Sequence, residues 1–145
     1  MRILVVDDES NVLADLVRML REGWESEGAE DALEIVEAGS VGAVRQLIVS
    51  HQEDRDWVLD HVFSDGLVKP GGWGNGCQDV YQLVREKGPD RTNPGMTVLS
   101  FNPIAGQTIA QELNAGFIPK ISLIRDPTLL VRRLFPSTGG SPEMR

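Results

Sequence analysis

Five side chains that could act together on a phosphoryl group each follow or close a short apolar run: Asp7 and Asp8, Asp60, Ser100 and Lys120. Carboxylates held close together repel one another, and a hard cation such as Mg²⁺, which prefers oxygen ligands, relieves that repulsion. Asp60 could then attack phosphorus to give an acyl phosphate. The Ser100 hydroxyl and the Lys120 ammonium suit the neutralisation of the transferred oxygens. The residue types therefore indicate Mg²⁺-dependent phosphoryl transfer.

The elements that would position these side chains are five apolar runs alternating with amphipathic segments. Strands are predicted at 3–6, 32–38, 57–59, 96–99 and 117–120, and helices from Ser10 to a stop at Gly23, at 41–50, 79–87 and 104–114, and from Pro127 onward. Such alternation predicts a single α/β domain with a parallel sheet, and right-handed crossovers favour the flavodoxin-like strand order 2-1-3-4-5. Ligands of such sheets bind beyond the carboxyl ends of the strands, where these side chains are expected.

Composition excludes several other classes of function. The chain has 145 residues and a formal net charge of −8, which argues against direct nucleic-acid binding and against an anionic membrane surface. Cys77 is the single cysteine, so neither a disulfide framework nor a thiolate zinc site is expected. No apolar run approaches the roughly 20 residues of a membrane span, and no signal peptide is recognised. A cytoplasmic protein is expected.

Two segments are predicted to lie outside the regular elements. The stretch 64–76 contains six glycines or prolines and predicts a long loop, with Trp73 as an exposed partner contact. Its glycines lack the Gly-Lys-Ser/Thr ending of a phosphate-binding loop, which argues against nucleotide binding. Residues 136–145 are small and polar and predict a flexible C-terminal tail.

Four segments together resemble the receiver domain of two-component response regulators: Arg2–Ser10, Trp57–Asp60, Thr97–Ser100 and Ala115–Lys120. The resemblance covers residues 1–135, and it implies a phosphorylation-activated signalling switch in one receiver domain. By this resemblance Asp60 is the phosphoacceptor. Asp8 is a direct Mg²⁺ ligand, Asp7 a water-mediated one, and the Val62 backbone carbonyl completes the metal site with Asp60.

The same resemblance implies how such a switch is read out. Ser100 corresponds to the switch hydroxyl, Lys120 to the phosphate-binding lysine and Phe117 to the switch aromatic. The implied donor is the phosphohistidine of a sensor histidine kinase or a phosphotransfer protein, and the downstream partner is a protein that the sequence does not name. A homodimer through the helix 4–strand 5–helix 5 face stays open. The protein would catalyse its own phosphorylation without being a turnover enzyme. Whether it also catalyses its own dephosphorylation stays open.

Two alternatives stay open beside this interpretation. Phe101 stands where receivers normally carry a small residue, and Ile121 where they carry proline, which motivates a non-phosphorylated pseudo-receiver that acts as a protein-interaction module. A small Mg²⁺-dependent phosphatase using Asp60 is disfavoured, because Val62 occupies the position of the expected acid. The chain leaves no room for a DNA-binding output domain, so a stand-alone regulator or an excised receiver is expected.

Overall fold

The computed structural model describes residues 1–28, 31–66, 76–86 and 94–135, and it arranges five strands in one parallel sheet. The order β2-β1-β3-β4-β5 confirms the predicted flavodoxin-like α/β fold. The elements are β1 (Arg2–Val6), α1 (Ser10–Ser26), β2 (Glu34–Ala38), α2 (Val41–Ser50), β3 (His61–Asp65), α3 (Gly76–Glu86), β4 (Gly95–Ser100), α4 (Pro103–Leu113), β5 (Gly116–Pro119), α5 (Lys120–Arg125) and α6 (Leu129–Leu134).

The central strands are buried on both faces, as expected for a parallel sheet covered by helices. Successive residues of β1 alternate between two clusters, with Ile3 and Val5 on one face and Leu4 and Val6 on the other. The first face packs against α1, α5 and α6, and the second against α2 and α3. Because both faces are covered, the open ends of the strands are where polar groups can gather.

The prediction for β3 is wrong in its position. The strand is His61–Asp65, and the predicted strand 57–59 lies in the connection before it. Trp57 and Leu59 are apolar because they pack into the core from that connection, with 5% and 1% exposure. Two apolar runs therefore stand in tandem, and only pairing with β1, where Ile3 faces His61 and Val6 faces Ser64, shows which one is the strand.

Two helix boundaries also differ from the sequence prediction. Helix α1 continues through Gly23, whose missing Cβ admits Val131 of α6 at close approach, and ends near Gly28, which has a φ of +65°. Such a left-handed residue is a usual helix terminator. The predicted last helix is preceded by a further one, α5, which begins at Lys120 directly after β5.

Several predicted features fall on parts of the chain that are not described. The predicted loop at 64–76 overlaps two regular elements, because Ser64 and Asp65 belong to β3 and Gly76 begins α3. Residues 67–75, with Trp73, and the predicted tail at 136–145 lie outside the described residues. Among the helices that are described, none combines the length and the apolar character needed to cross a membrane.

Candidate functional site

A cluster of three carboxylates and one amine forms at the carboxyl edge of the sheet. Asp7 and Asp8 follow β1, Asp65 ends β3, and Lys120 follows β5. The Lys120 Nζ donates to Asp7 Oδ2 at 2.7 Å and to Asp65 Oδ1 at 3.0 Å. Asp7 and Lys120 are 1% and 4% exposed, so these charge-assisted hydrogen bonds are largely removed from water. The strand ends thus bring together residues that are up to 113 positions apart.

The backbone geometry at the end of β1 fixes the orientation of Asp7. Its Oδ1 accepts a hydrogen bond from the Glu9 backbone N–H at 2.9 Å, at the beginning of α1. Its other oxygen is thereby left for Lys120. An Asp side chain that bonds the backbone two residues ahead is a common device at such a strand-to-helix turn. Asp7 therefore serves at once as a helix-start acceptor and as a partner of the buried amine.

Burial and charge shift the ionisation of the two central groups in this cluster. Burial raises the pKa of the Asp65 carboxyl, and the negative charges of Asp7 and Asp8 raise it further, against the opposing effect of the Lys120 ammonium. Burial alone would lower the pKa of Lys120. The hydrogen bond to Asp7 and the charges of Asp65 and Asp7 outweigh that effect, so the Lys120 pKa is raised and the amine is held as a cation. The site contains an excess of negative charge that one ammonium does not cancel.

The three carboxylates fit a divalent cation. Asp7, Asp8 and Asp65 each offer an oxygen, and these atoms all lie within 4.8 Å of one another. Mg²⁺ prefers oxygen ligands and is usually bound through a few carboxylates with water completing its shell, so Asp7, Asp8 and Asp65 would be the residues that hold it. Asp8 is only partly buried, which leaves one side of the cluster open for the water ligands that Mg²⁺ retains.

Asp60, the acceptor predicted from the sequence, does not belong to this cluster. Its Oδ2 accepts a hydrogen bond from the Arg2 backbone N–H at 2.8 Å, and its own N–H donates to the Arg2 carbonyl, at the start of β1. At a rise of about 3.3 Å per strand residue, Asp60 and Asp65 are roughly 16 Å apart along β3. Asp60 is exposed at the amino edge of the sheet, so the prediction that it ends strand 3 is wrong.

The Val62 carbonyl also lies away from the cluster, because Val62 is inside β3 and is paired with Leu4 and Met96. Its predicted part in a metal site depended on the misplaced Asp60. Val62 was chosen because it lies two residues after Asp60. The residue two positions after Asp65 is residue 67, which is outside the described residues.

Ser100 reaches the carboxyl edge as predicted, at the end of β4. It is 2% exposed, and its Oγ accepts a hydrogen bond from the Asn102 N–H at 3.0 Å. A Cβ on Gly66, the residue after Asp65, would lie 3.7 Å from the Ser100 Cβ, so Ser100 lies beside the end of β3.

Phe117 is partly buried on β5, and its ring packs over Gly106 of α4. A Cβ on Gly106 would meet this ring and would lie 2.8 Å from the Ser100 Cβ. Ser100 and Phe117 therefore contact the same point of α4, which only glycine leaves open.

Sequence reasoning missed Asp65, although a signal for it is present. Val62 and Phe63 form an apolar pair followed by Ser64, Asp65 and Gly66, and an Asp-Gly pair is a common end of a strand. The strand was not predicted because His61 and Ser64 are polar and interrupt its apolar pattern. Both side chains nevertheless have hydrogen-bond partners inside the fold. The His61 Nε2 lies 2.8 Å from the Thr97 Oγ1, and the fully buried Ser64 hydroxyl donates to the Asp65 carbonyl at 3.1 Å.

Solved structures of receiver domains share this fold. The chain superposes on the receiver domain of the hybrid histidine kinase CckA with a TM-score of 0.60 and 20% identity, over 94% of this chain and all (100%) of the other. A LuxR family DNA-binding response regulator from Silicibacter pomeroyi gives 0.59 and 22%, over 91% and 86%. No family model and no curated protein sequence matches the chain.

The same architecture also occurs without any natural function. A de novo designed Rossmann 2x3 fold protein superposes with a TM-score of 0.54 and 13% identity, over 99% of this chain and 95% of the other. With sequence identities this low, the superpositions establish only the fold, and this is the receiver fold that the motifs predicted. Function therefore has to be inferred from the residues at the carboxyl edge.

Proposed function

We propose that the chain is a response regulator receiver, a signalling switch that accepts a phosphoryl group on Asp65 in an Mg²⁺-dependent reaction. The observation that carries this proposal is the buried amine of Lys120, held between Asp7 and Asp65 at the carboxyl edge. Asp65 takes the role that the sequence assigned to Asp60. When bound by the three carboxylates, Mg²⁺ would offset the charge of the incoming phosphoryl oxygens.

The residues of this chain supply the rest of the chemistry. An Asp65 carboxylate oxygen forms a bond to phosphorus while the P–N bond of a donor phosphohistidine breaks, and the imidazole leaves with the electron pair. The Lys120 ammonium can donate to a phosphoryl oxygen in place of one of its carboxylate bonds. The Ser100 hydroxyl, which is now an acceptor for the Asn102 N–H, can turn to donate to another oxygen.

The readout of this switch would pass from Ser100 to Phe117 through their shared contact with Gly106. The Ser100 Cβ and the half-buried Phe117 ring both lie against Gly106, so a turn of the Ser100 hydroxyl towards the phosphoryl group would be coupled to a change in the packing of this ring. Such a local charge change that biases two packings is the usual basis of a phosphorylation switch. The face of α4, β5 and α5 would then present a different surface to its protein partner or to a second copy of the chain.

The proposal carries further expectations. The phosphoryl donor would be a sensor histidine kinase or a histidine phosphotransfer protein, and the location would be cytoplasmic. The protein would be a switch and not a turnover enzyme, because the acceptor is its own Asp65 and each phosphorylation consumes the free carboxylate.

The test is labelling by acetyl phosphate and Mg²⁺, followed by intact mass, in the wild type and two matched variants. Asp65→Asn should abolish the added phosphoryl mass. Asp60→Asn should retain it, because the side-chain carbonyl of an asparagine at that position can still accept from the Arg2 N–H. Label lost in Asp60→Asn and kept in Asp65→Asn would contradict the assignment. Absence of label in the wild type with excess donor would favour the pseudo-receiver.

A further inference from the structure

Asp65 stands in a dipeptide that can react with itself. It is followed by Gly66, and in an Asp-Gly pair the backbone nitrogen of the glycine can attack the side-chain carbonyl carbon of the aspartate. Glycine favours this ring closure because it has no side chain to hinder it. The succinimide that forms opens with water to aspartate or to isoaspartate, in which the carboxylate is displaced and the backbone gains a carbon. Phosphorylation increases this reactivity, because phosphate is a better leaving group than hydroxide.

Two hydrogen bonds restrain the two groups that would react. The Gly66 backbone N–H donates to the Leu99 carbonyl at 2.8 Å, which continues the pairing of β3 with β4 beyond Asp65 and Leu99. The Asp65 carboxylate accepts from the Lys120 Nζ at 3.0 Å, which directs this side chain towards the amine. The nitrogen is therefore held by β4, and the carboxylate is held by the residue that follows β5.

The surroundings of Gly66 also keep bases away from its nitrogen. Gly66 is buried, and a Cβ at this position would lie 3.3 Å from the Val98 Cγ1 and 3.5 Å from the Ile109 Cδ1. These side chains therefore pack directly against the glycine backbone. An amide nitrogen has to lose its proton before it can close the ring, and a base from solvent reaches this proton only when the end of β3 opens.

We propose that the hydrogen bond between Gly66 and Leu99 protects Asp65 from cyclisation with its own backbone. For the phosphorylated state this inference rests on Asp65 being the phosphoacceptor. When the strand end opens in that state, the Gly66 nitrogen bonds to the Asp65 side-chain carbonyl carbon and the C–O bond to phosphate breaks. Inorganic phosphate leaves with the electron pair, and the amide proton passes to solvent. Water then opens the ring, and every chain that becomes isoaspartate has lost its acceptor permanently.

The first arm of the experiment needs no phosphorylation. Asp65→Asn creates an Asn-Gly pair that closes the same ring with ammonia as the leaving group, and mass spectrometry of peptide fragments locates the deamidated position. The folded variant should deamidate at least roughly tenfold more slowly than the same variant in concentrated urea, because a buried N–H leaves its acceptor only at a cost of that size. In urea the rate should match that of the chain's own Asn75-Gly76 pair. Asp60→Asn, whose asparagine precedes His61 and not glycine, is the control and should deamidate slowly in urea.

The second arm follows the wild type after labelling with acetyl phosphate and Mg²⁺. In the folded chain the label should be lost with return to the unlabelled mass. Transfer of the labelled chain to urea, followed by an acid quench, should add a product that is one water lighter than the unlabelled chain, which is the succinimide. Hydrogen exchange of the Gly66 amide measures the opening of the strand end separately, and it should rise together with the succinimide below the unfolding transition.

The outcomes separate this inference from the proposed function. Folded Asp65→Asn that deamidates as fast as in urea, or while the Gly66 amide stays protected from exchange, overturns the protection and leaves the phosphoacceptor standing. Absence of deamidation at this pair in urea also overturns it, because the dipeptide would then be unreactive. Absence of label in the wild type contradicts the proposed function, whereas the first arm still decides whether the hydrogen bond protects the pair.

Discussion

Replacing Lys120 with methionine tests whether its buried amine holds the acidic cluster together. The substitution keeps the length and the apolar stem of the side chain and removes its charge. Asp7 and Asp65 then lose charge-assisted hydrogen bonds of 2.7 and 3.0 Å at a place where Asp7 is 1% exposed and Asp65 9%. Asp8 stands in the same cluster, so three carboxylates would lose the ammonium that the described residues place among them.

The expected loss follows from the burial of these groups. Removing one partner of a buried ion pair costs about 3–5 kcal/mol, because the remaining charge is left uncompensated. The raised pKa of Asp65 gives the variant a way to reduce this cost, since Asp65 can take up a proton. We therefore expect a decrease of about 3 kcal/mol in the free energy of unfolding, against a total of roughly 5–15 kcal/mol for a domain.

The assay is urea unfolding followed by circular dichroism, in chelator and in millimolar Mg²⁺. Lys120→Met should recover part of its loss in Mg²⁺, because a site with no ammonium attracts the cation more strongly. A ligand at ten times its dissociation constant adds about 1.4 kcal/mol. Arg132→Met is the control: its ion pair with Asp126 is exposed and screened by water, so its loss should change the stability little.

Two results would refute this reasoning. In the first, Lys120→Met in chelator loses no more stability than Arg132→Met, which would show that the buried pair does not compensate the carboxylates. In the second, Mg²⁺ stabilises the wild type and Lys120→Met equally, which would show that amine and cation do not act on the same charges.

Three further predictions concern the switch contact, a buried histidine and the metal. Gly106→Ala should lower the free energy of unfolding by about 1–3 kcal/mol, measured in urea, because its Cβ would displace the Phe117 ring. Burial, aided by Arg133, lowers the pKa of His61 to about 4 from 6.5. The unfolded chain therefore takes up a proton first as pH falls, and stability should decline from pH 6.5 to 4 by up to about 3 kcal/mol; His61→Gln should lack this part of the decline. Millimolar Mg²⁺ should raise the melting temperature of the wild type more than that of Asp65→Asn.

Each of these three has an outcome that contradicts it. Wild-type stability in Gly106→Ala would mean that the Phe117 ring has another place to pack at no cost. Equal acid sensitivity of the wild type and His61→Gln between pH 6.5 and 4 would mean that His61 is not held neutral by burial. An unchanged melting curve of the wild type in Mg²⁺ would count against a metal site at the acidic cluster.

The sequence by itself determined the architecture and most of the edge that carries the site. Apolar runs alternating with helical patterns fixed the parallel sheet and its order, because those periods allow few other topologies. Asp7, Asp8, Ser100 and Lys120 were placed at the carboxyl edge for a local reason: each follows the only apolar run in its neighbourhood. Where one run stands alone, its end is the end of the strand.

Only the tertiary structure decided which aspartate joins them. Two apolar runs surround Asp60, and a side chain buried from a connection looks the same in the sequence as one buried from a strand. Pairing with β1 selects the second run and moves the strand end from Asp60 to Asp65, at the opposite edge of the sheet. Register is a relation between strands, set by hydrogen bonds across the sheet, and no single stretch of sequence contains it.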